Sequence, residues 1–106
     1  MINNENRSYG VSLIIPAINE CESIKKMLDE LPADQLQEIV VVDGHSSDGT
    51  PDIVRKAGHK VVPQEGRGYG MGVRTGMKVA QGDLVTFVDA DGSYDPEAIS
   101  RMKALI

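Results

Sequence analysis

Aromatic residues and positive charge are scarce in this chain. Its 106 residues include no tryptophan, one phenylalanine and three tyrosines, and the formal net charge is −5. Proteins that hold single-stranded nucleic acid stack its bases on aromatic side chains. Binding to nucleic acid phosphates or to anionic lipid also needs positive charge. The composition therefore argues against DNA or RNA as a partner and leaves at most a peripheral association with membranes.

Cysteine and long apolar segments are also nearly missing. Cys21 is the only cysteine, so no disulfide forms within the chain, which fits a reducing compartment. The apolar runs are no longer than a strand and the segment from Met1 to Ser8 is polar, which is unlike a transmembrane span or a signal peptide. We expect a cytoplasmic chain, whose full-length form acts in solution or at the cytoplasmic face of a membrane.

Four apolar, strand-like runs alternate with helix-like segments. The length of 106 residues and the hydrophobic content of 41% allow one domain with a modest core. The predicted strands cover residues 11–15, 38–42, 60–62 and 84–88. The second of them is apolar throughout its centre, which is typical of a strand buried on both faces in a parallel sheet. This order predicts an α/β layer structure with a largely parallel sheet and right-handed crossovers.

Helix start signals follow three of these strands. Asn19 and Glu22 have the spacing of a capping box. Thr50–Pro51 and Asp95–Pro96 each combine an N-cap residue with a proline at the first helical position. A further helix is predicted after the glycine-rich segment 66–72, with Val73, Met77 and Ala80 on its apolar face.

Polar residues gather where the predicted strands end. In open parallel sheets, ligands bind beyond the carboxyl ends of the strands, so these residues are expected along one edge of the sheet. The first strand contributes Pro16, Ala17, Asn19 and Glu20, the second Asp43, and the fourth Asp89 and Asp91. Each group also has a purely structural explanation: Asn19 and Glu20 start a helix, and Asp43 is a solvated loop residue.

Asp89 and Asp91 form the most informative pair. Side chains alternate along an extended backbone, so residues two apart point to the same side. Two carboxylates at the end of a strand suit a hard cation such as Mg²⁺ or Mn²⁺, which in turn binds a diphosphate. The alternative is that both are turn residues before Gly92.

Several other residues have weaker signals. Asp48 is interpreted as a turn residue, His45 and His59 as surface residues, and Cys21 as a passive thiol. The glycine-rich segment 66–72 is neither a Walker A loop nor a strict G-x-G-x-x-G motif. It is either a close approach to a ligand or a mobile loop. Arg74, early in the helix that follows, either reaches a phosphate or sugar hydroxyl or is simply solvated.

Four segments in order resemble family 2 glycosyltransferases, and most of all the dolichyl-phosphate mannose or glucose synthases and their bacterial polyprenyl-phosphate relatives. The matching segments are Pro16 to Glu20, Val41 to Thr50, Gly68 to Gly76 and Asp89 to Pro96. The resemblance covers residues 11–106. It implies a GT-A fold, a three-layer α/β/α arrangement, with a nucleotide-diphospho-sugar donor, a divalent metal and a displacement with inversion at the anomeric carbon.

The resemblance also implies roles for individual residues. The first motif and Asp43 line the nucleoside pocket. Asp89 and Ala90 lie near the ribose or sugar, Asp91 is the main metal ligand of a D-x-D motif with Asp89 beside it, and Arg74 faces the donor. Many relatives carry two adjacent acids after the second strand, whereas here Gly44 follows Asp43. The choice between UDP and GDP therefore stays open.

The same resemblance places the acceptor-binding half and the usual general base beyond residue 106. We therefore expect the chain to be the N-terminal, donor-binding half of a GT-A domain, with polyprenyl phosphate as the acceptor and a truncated sheet that favours self-association.

Two rival classes remain. One is a nucleotidyltransferase or other nucleotide-sugar enzyme, and the other is a non-catalytic nucleotide-binding or regulatory module or a phospho-acceptor domain. Nucleotidyltransferases carry a Gly-rich, basic loop after the first strand, but residues 16–20 are acidic and free of glycine. Phospho-acceptor domains need a lysine at a later strand end, and no predicted strand ends in one.

Overall fold

A computed structural model describes residues 9–106, so the polar segment from Met1 to Ser8 lies outside the described part. In this described part, four strands and four α-helices alternate, with one turn of 3₁₀ helix at Ala33–Gln35. The strands are β1 (Val11–Ala17), β2 (Glu38–Asp43), β3 (Lys60–Pro63) and β4 (Leu84–Phe87). The helices are α1 (Cys21–Glu30), α2 (Thr50–Lys56), α3 (Tyr69–Val79) and α4 (Pro96–Ala104). None of the helices in this described part is long and apolar enough to cross a membrane.

The strands form one sheet in the order β3-β2-β1-β4, and every neighbouring pair is parallel. β1 lies at the centre, and its register aligns Ala17 with Asp43 of β2. β2 in turn aligns Asp43 with Pro63 of β3. The predicted parallel sheet is confirmed, and the carboxyl ends of its strands lie along one edge. β4 lies at one side of the sheet with Leu84 41% exposed; self-association through this side stays a prediction.

Apolar side chains cover both faces of the sheet. On one face, Leu13, Ile15 and Val41 pack with the buried residues of α1, α2 and α4. On the other face, Ile14 and Val40 pack against the end of α3. Burial on both faces explains why β1 and β2 are apolar without alternation. The predicted α/β/α layers are thereby confirmed.

The start of α1 differs from the prediction. β1 continues through Pro16 to Ala17, and Glu20, rather than Asn19, occupies the N-cap position without a side-chain hydrogen bond. Asn19 has a φ of 51°, and its side chain bonds to the loop after β2 instead. The prediction of a capping box is therefore wrong, because the Asn19 side chain accepts a hydrogen bond from the loop after β2 rather than from its own helix.

The starts of α2 and α4 follow the prediction more closely. The Asp95 carboxylate accepts a hydrogen bond from the Glu97 N–H, as predicted. At α2 the N-cap is Gly49, with a φ of 88°, and Thr50 is the first helical residue. The N–H and hydroxyl of Thr50 both donate to Asp48. Asp48 therefore does the capping that was predicted for Thr50.

The start and buried face of α3 also differ from the prediction. The helix begins at Tyr69, inside the glycine-rich segment, and buries Gly72, Thr75 and Gly76. Met77 was predicted on the apolar face but is 56% exposed. The periodicity of the large apolar residues predicted the wrong buried face of α3. The helix instead packs against the sheet with the face that carries its small residues, Gly72, Thr75 and Gly76.

Glu38 anchors the opposite, amino-terminal edge of the sheet. Its carboxylate accepts hydrogen bonds from Ser12 Oγ, Lys60 Nζ and the Gln81 N–H. The carboxylate thus ties together β1, β2, β3 and the segment before β4. Burial opposes ionisation, but the hydrogen bonds outweigh it and lower the pKa of Glu38.

We expect Glu38→Gln to lower the free energy of unfolding at pH 7 by about 2 kcal/mol, since it replaces charge-assisted hydrogen bonds. A carboxylate with a lowered pKa stabilises the fold above its ordinary value of 4.5, and this is lost as the pH falls through the folded-state value. Urea unfolding between pH 7 and pH 3 should therefore show the two proteins converging at low pH. Glu22→Gln, at an exposed position, is the control. A difference that stays constant with pH would contradict this role.

Candidate functional site

A cavity of about 560 Å³ opens at the carboxyl edge of the sheet. Six of the predicted site residues line it: Pro16, Ala17, Glu20, Asp89, Ala90 and Asp91. Seven others complete the lining: Ile18, Gly44, His45, Gln64, Arg67, Gly68 and Tyr69. The loops after β1, β2, β3 and β4 therefore all contribute to one concave site, which is where a parallel sheet places its ligands.

Three predicted site residues do not line the cavity. Asn19 is exposed and bonds to the neighbouring loop, Asp43 is buried beneath the edge, and Arg74 is exposed on α3. Their proposed contacts with a donor stay predictions.

Asp89 and Asp91 lie beyond the end of β4, with Asp91 in a turn. β4 ends at Phe87, so the alternation of an extended strand does not apply to them. The Ser93 N–H donates to Asp91 Oδ1 at 2.9 Å, and Gly92 has a φ of 81°. Hydrogen bonds from the Ser93 side chain and backbone lower the pKa of Asp91. Asp91 is thus both a turn residue and an ionised carboxylate that lines the cavity.

The donor atoms in this cavity fit a divalent metal only together with a ligand. Among residues 9–106 no group of three or more His, Cys, Asp or Glu side chains could hold a metal ion. Asp89 and Asp91 nevertheless supply two exposed carboxylates. Mg²⁺ is commonly held by one or two carboxylates plus substrate phosphates, so the pair suits a metal that arrives with a diphosphate.

Asn19 joins the loops after β1 and β2 by reciprocal hydrogen bonds. The Asn19 N–H donates to Ser46 Oγ at 2.8 Å, and the Ser47 N–H donates to Asn19 Oδ1 at 2.8 Å. Both loops carry residues that line the cavity. These bonds therefore fix one wall of the site, although Asn19 itself does not line it.

Asp48 makes a second connection between the same loops. It accepts hydrogen bonds from the Cys21 N–H at the start of α1 and from Thr50 at the start of α2. The Thr50 hydroxyl is the main cause that lowers the pKa of Asp48 to about 2. A hydrogen bond with Asp48 raises the pKa of the Cys21 thiol. The thiol therefore stays protonated at neutral pH, in keeping with a passive residue.

Asp43 is buried with one oxygen unpartnered. It is 9% exposed, and Oδ2 accepts a hydrogen bond from the Ser46 N–H at 3.2 Å. Oδ1 is buried and has no hydrogen-bond partner among residues 9–106. A buried carboxylate oxygen without a donor is costly. This oxygen is therefore an unsatisfied acceptor beneath the edge of the sheet, outside the cavity lining.

The glycine-rich segment, for which the sequence allows either a close approach to a ligand or a mobile loop, forms one wall of the cavity. Arg67, Gly68 and Tyr69 line the cavity, and so does Gln64 directly after β3. His45 is exposed, as predicted for a surface residue, and it also lines the cavity, with Nε2 3.3 Å from the Gly66 carbonyl oxygen. The end of the third strand could have indicated Gln64, because the carboxyl ends of all parallel strands meet at the same edge.

A family model described as glycosyl transferase family 2 matches residues 12–106. The chain belongs to glycosyltransferase family 2. Membership decides against the nucleotidyltransferase and phospho-acceptor alternatives and confirms the resemblance found in its motifs.

Curated relatives of this family 2 chain carry glycosyltransferase names. It is 34% identical over 95 residues to an uncharacterised glycosyltransferase of Mycobacterium tuberculosis, covering 90% of this chain and 43% of that protein. It is 33% identical over 98 residues to a dolichyl-phosphate hexose transferase of Haloferax volcanii, covering 91% of this chain and 42% of that protein. The chain thus spans less than half the length of these relatives.

A solved structure shares the fold. Glucosyl-3-phosphoglycerate synthase from Mycobacterium tuberculosis, in complex with Mn²⁺, uridine diphosphate and glucosyl-3-phosphoglycerate, superposes with a TM-score of 0.71 at 25% identity. The match covers 82% of this chain and 34% of the synthase. The family 2 chain therefore has the GT-A fold that its motifs implied.

Proposed function

We propose that this chain is the donor-binding half of a GT-A glycosyltransferase that uses a nucleotide-diphospho-sugar and a divalent metal. The observation that carries the proposal is the cavity in which the paired carboxylates, Asp89 and Asp91, share a concave site with Arg67 and the glycine-rich wall. The two carboxylates can bind a metal cation. The Arg67 guanidinium and the backbone N–H groups of the glycine-rich wall can bind phosphate oxygens.

The nucleoside is assigned to the first motif and Asp43. Pro16, Ala17 and Glu20 line the cavity beside the loop held by Asn19. Asp43 ends β2 beside Ala17, its partner in the register, and its contact with the nucleoside rests on the family resemblance. These residues lie at the ends of β1 and β2, near the centre of the sheet.

The diphosphate and sugar are assigned to the residues after β4. Asp91, with Asp89 beside it, would hold Mg²⁺ or Mn²⁺, which when bound supplies a Lewis acid for charge on the leaving diphosphate. Asp89 and Ala90 would face the ribose or sugar. Arg74 is exposed on α3 and does not line the cavity, so its contact with the donor rests on the family resemblance. The crystallised synthase with Mn²⁺ and uridine diphosphate supports this assignment.

A polyprenyl or dolichyl phosphate is the proposed acceptor, with inversion at the anomeric carbon. The name of the Haloferax volcanii relative supports this acceptor class. Detection of a polyprenyl-phosphate sugar after incubation of donor, metal and polyprenyl phosphate with the full-length protein tests it. A product on a soluble acceptor alone would contradict it.

Metal removal tests the donor site directly. We expect UDP-glucose or GDP-mannose to bind in Mn²⁺ at a concentration on the order of millimolar, which saturates weak metal sites. Removal of the metal with EDTA should lower the donor affinity at least about tenfold. Isothermal calorimetry measures both conditions. The nucleotide that binds more tightly identifies the base class. Absence of metal-dependent binding for both donors would contradict the proposal.

A further inference from the structure

Gln64 is a buried polar residue whose backbone, but not its side chain, bonds to the neighbouring strand β2. It follows β3 directly, is 8% exposed and lines the cavity. Its backbone N–H donates to the Asp43 carbonyl at 2.8 Å. The side chain therefore starts next to Asp43 and reaches toward the glycine-rich wall.

The orientation of the Gln64 amide is fixed by its neighbours. Nε2 donates to the Gly68 carbonyl at 3.0 Å and to the Gly66 carbonyl at 3.3 Å. The opposite orientation would place the amide oxygen against two carbonyl oxygens, so the network decides it. Oε1 must then point away from both carbonyls.

Oε1 lies between Gly44 and Gly72. A methyl group built on Gly72 would lie 2.9 Å from Oε1, and one built on Gly44 would lie 3.4 Å from it. Within residues 9–106, Oε1 accepts no hydrogen bond. The Gln64 amide oxygen is therefore an oriented acceptor to which no residue of the described part donates.

We propose that Gln64 binds the nucleoside of the donor, with Oε1 accepting a hydrogen bond from a base N–H or from the ribose 2′-hydroxyl. This inference rests on the proposed function and adds a binding residue to that site. An amide oxygen repels phosphate oxygens, so the ligand group it contacts is a neutral N–H or O–H donor.

The sheet order supports the nucleoside rather than the sugar. β3 and β4 are three strand spacings apart in the order β3-β2-β1-β4, which is about 14 Å. Gln64 follows β3, and the carboxylates Asp89 and Asp91 follow β4. An extended donor with its diphosphate near the carboxylates therefore places its nucleoside toward β2 and β3.

Calorimetry with UDP and Mn²⁺ on Gln64→Met tests the inference. The variant keeps the length of the side chain and removes its amide, and we expect UDP affinity to fall about tenfold. The same titration uses 3-methyl-UDP and 2′-deoxy-UDP, which lack the base N–H and one ribose hydroxyl. For the analogue that lacks the contacted donor, the variant and wild type should agree within about twofold. Gln35→Met, at an exposed position outside the cavity, is the matched control.

Comparing the ligands separates a lost contact from a disturbed fold in Gln64→Met. A disturbed fold lowers the affinity for UDP and for its analogues alike, whereas loss of the contact removes only the preference for UDP over the critical analogue. Equal losses for all three ligands, or no loss, would overturn the inference while the proposed function stands. If UDP does not bind, GDP with 1-methyl-GDP and 2′-deoxy-GDP replaces the series. Failure of both nucleotides to bind wild type contradicts the proposed function and this inference with it.

Discussion

Asp91→Asn should weaken binding of the nucleotide-sugar donor in Mn²⁺ by at least about a hundredfold. Loss of residues that merely orient metal ligands already costs 10–100-fold in affinity, so loss of a charged ligand should cost no less. Asp91 lines the cavity, and its pKa is lowered by Ser93, so it carries a full charge at neutral pH. Replacing Asp91 removes that charge and leaves Asp89 as the remaining carboxylate of the pair.

Asparagine is the informative replacement because it separates the two roles of Asp91. An asparagine Oδ1 can accept the Ser93 N–H as the aspartate does, and asparagine is equally common in such turns. If Asp91 only formed the turn, the variant would bind donor like wild type. The metal hypothesis expects binding to be lost while the melting temperature changes little.

Two further variants make the experiment decisive. Asp34→Asn removes one exposed carboxylate far from the cavity lining and should leave donor affinity unchanged. Asp89→Asn should reduce affinity less than Asp91→Asn, in line with the unequal roles assigned to the pair. Calorimetry with and without Mn²⁺ measures all three. Wild-type affinity in Asp91→Asn would reject this residue as the metal ligand.

The sheet could be predicted from the sequence because its signals are local. Runs such as residues 38–42 are apolar at every central position, and the structure buries that strand on both faces. Proline and aspartate at 95–96 define a helix start by their own backbone chemistry. Parallel pairing then follows from the alternation of strands and helices, and it brings together the strand ends that line the cavity.

The remaining features depend on contacts between distant segments. Asn19 has the pattern of a helix cap, but its side chain bonds to Ser47, 28 residues away. His45 lines the cavity because the glycine-rich segment passes beside it. Asp89 and Asp91 were predicted to converge by strand alternation, whereas both lie beyond the end of β4. The local periodicity of a sequence does not predict contacts between segments that are distant along the chain.

Gly76→Ala should lower the free energy of unfolding by about 2 kcal/mol. A β-carbon at this position would lie 2.4 Å from Ile14 Cγ2, and Ile14 is fully buried at the centre of the sheet. Neither α3 nor β1 can move apart without opening the core on this face. The higher helix propensity of alanine offsets only about 1 kcal/mol of the overlap. Thermal unfolding should show a melting temperature lower by about 10 °C.

Gly70→Ala provides the matched control on the same helix. A β-carbon there meets no atom within 4 Å, so the substitution should leave stability unchanged or raise it by about 0.5 kcal/mol through helix propensity alone. Removing the contact should also reverse the sign at Gly76: in an Ile14→Ala background, Gly76→Ala should no longer destabilise, since the two changes share one space. Equal effects of Gly76→Ala in both backgrounds would mean that its cost does not come from contact with Ile14. That result would remove the support for the close approach of α3 to β1 as the reason for glycine at position 76. Flexibility of the glycine-rich segment would then be the remaining explanation.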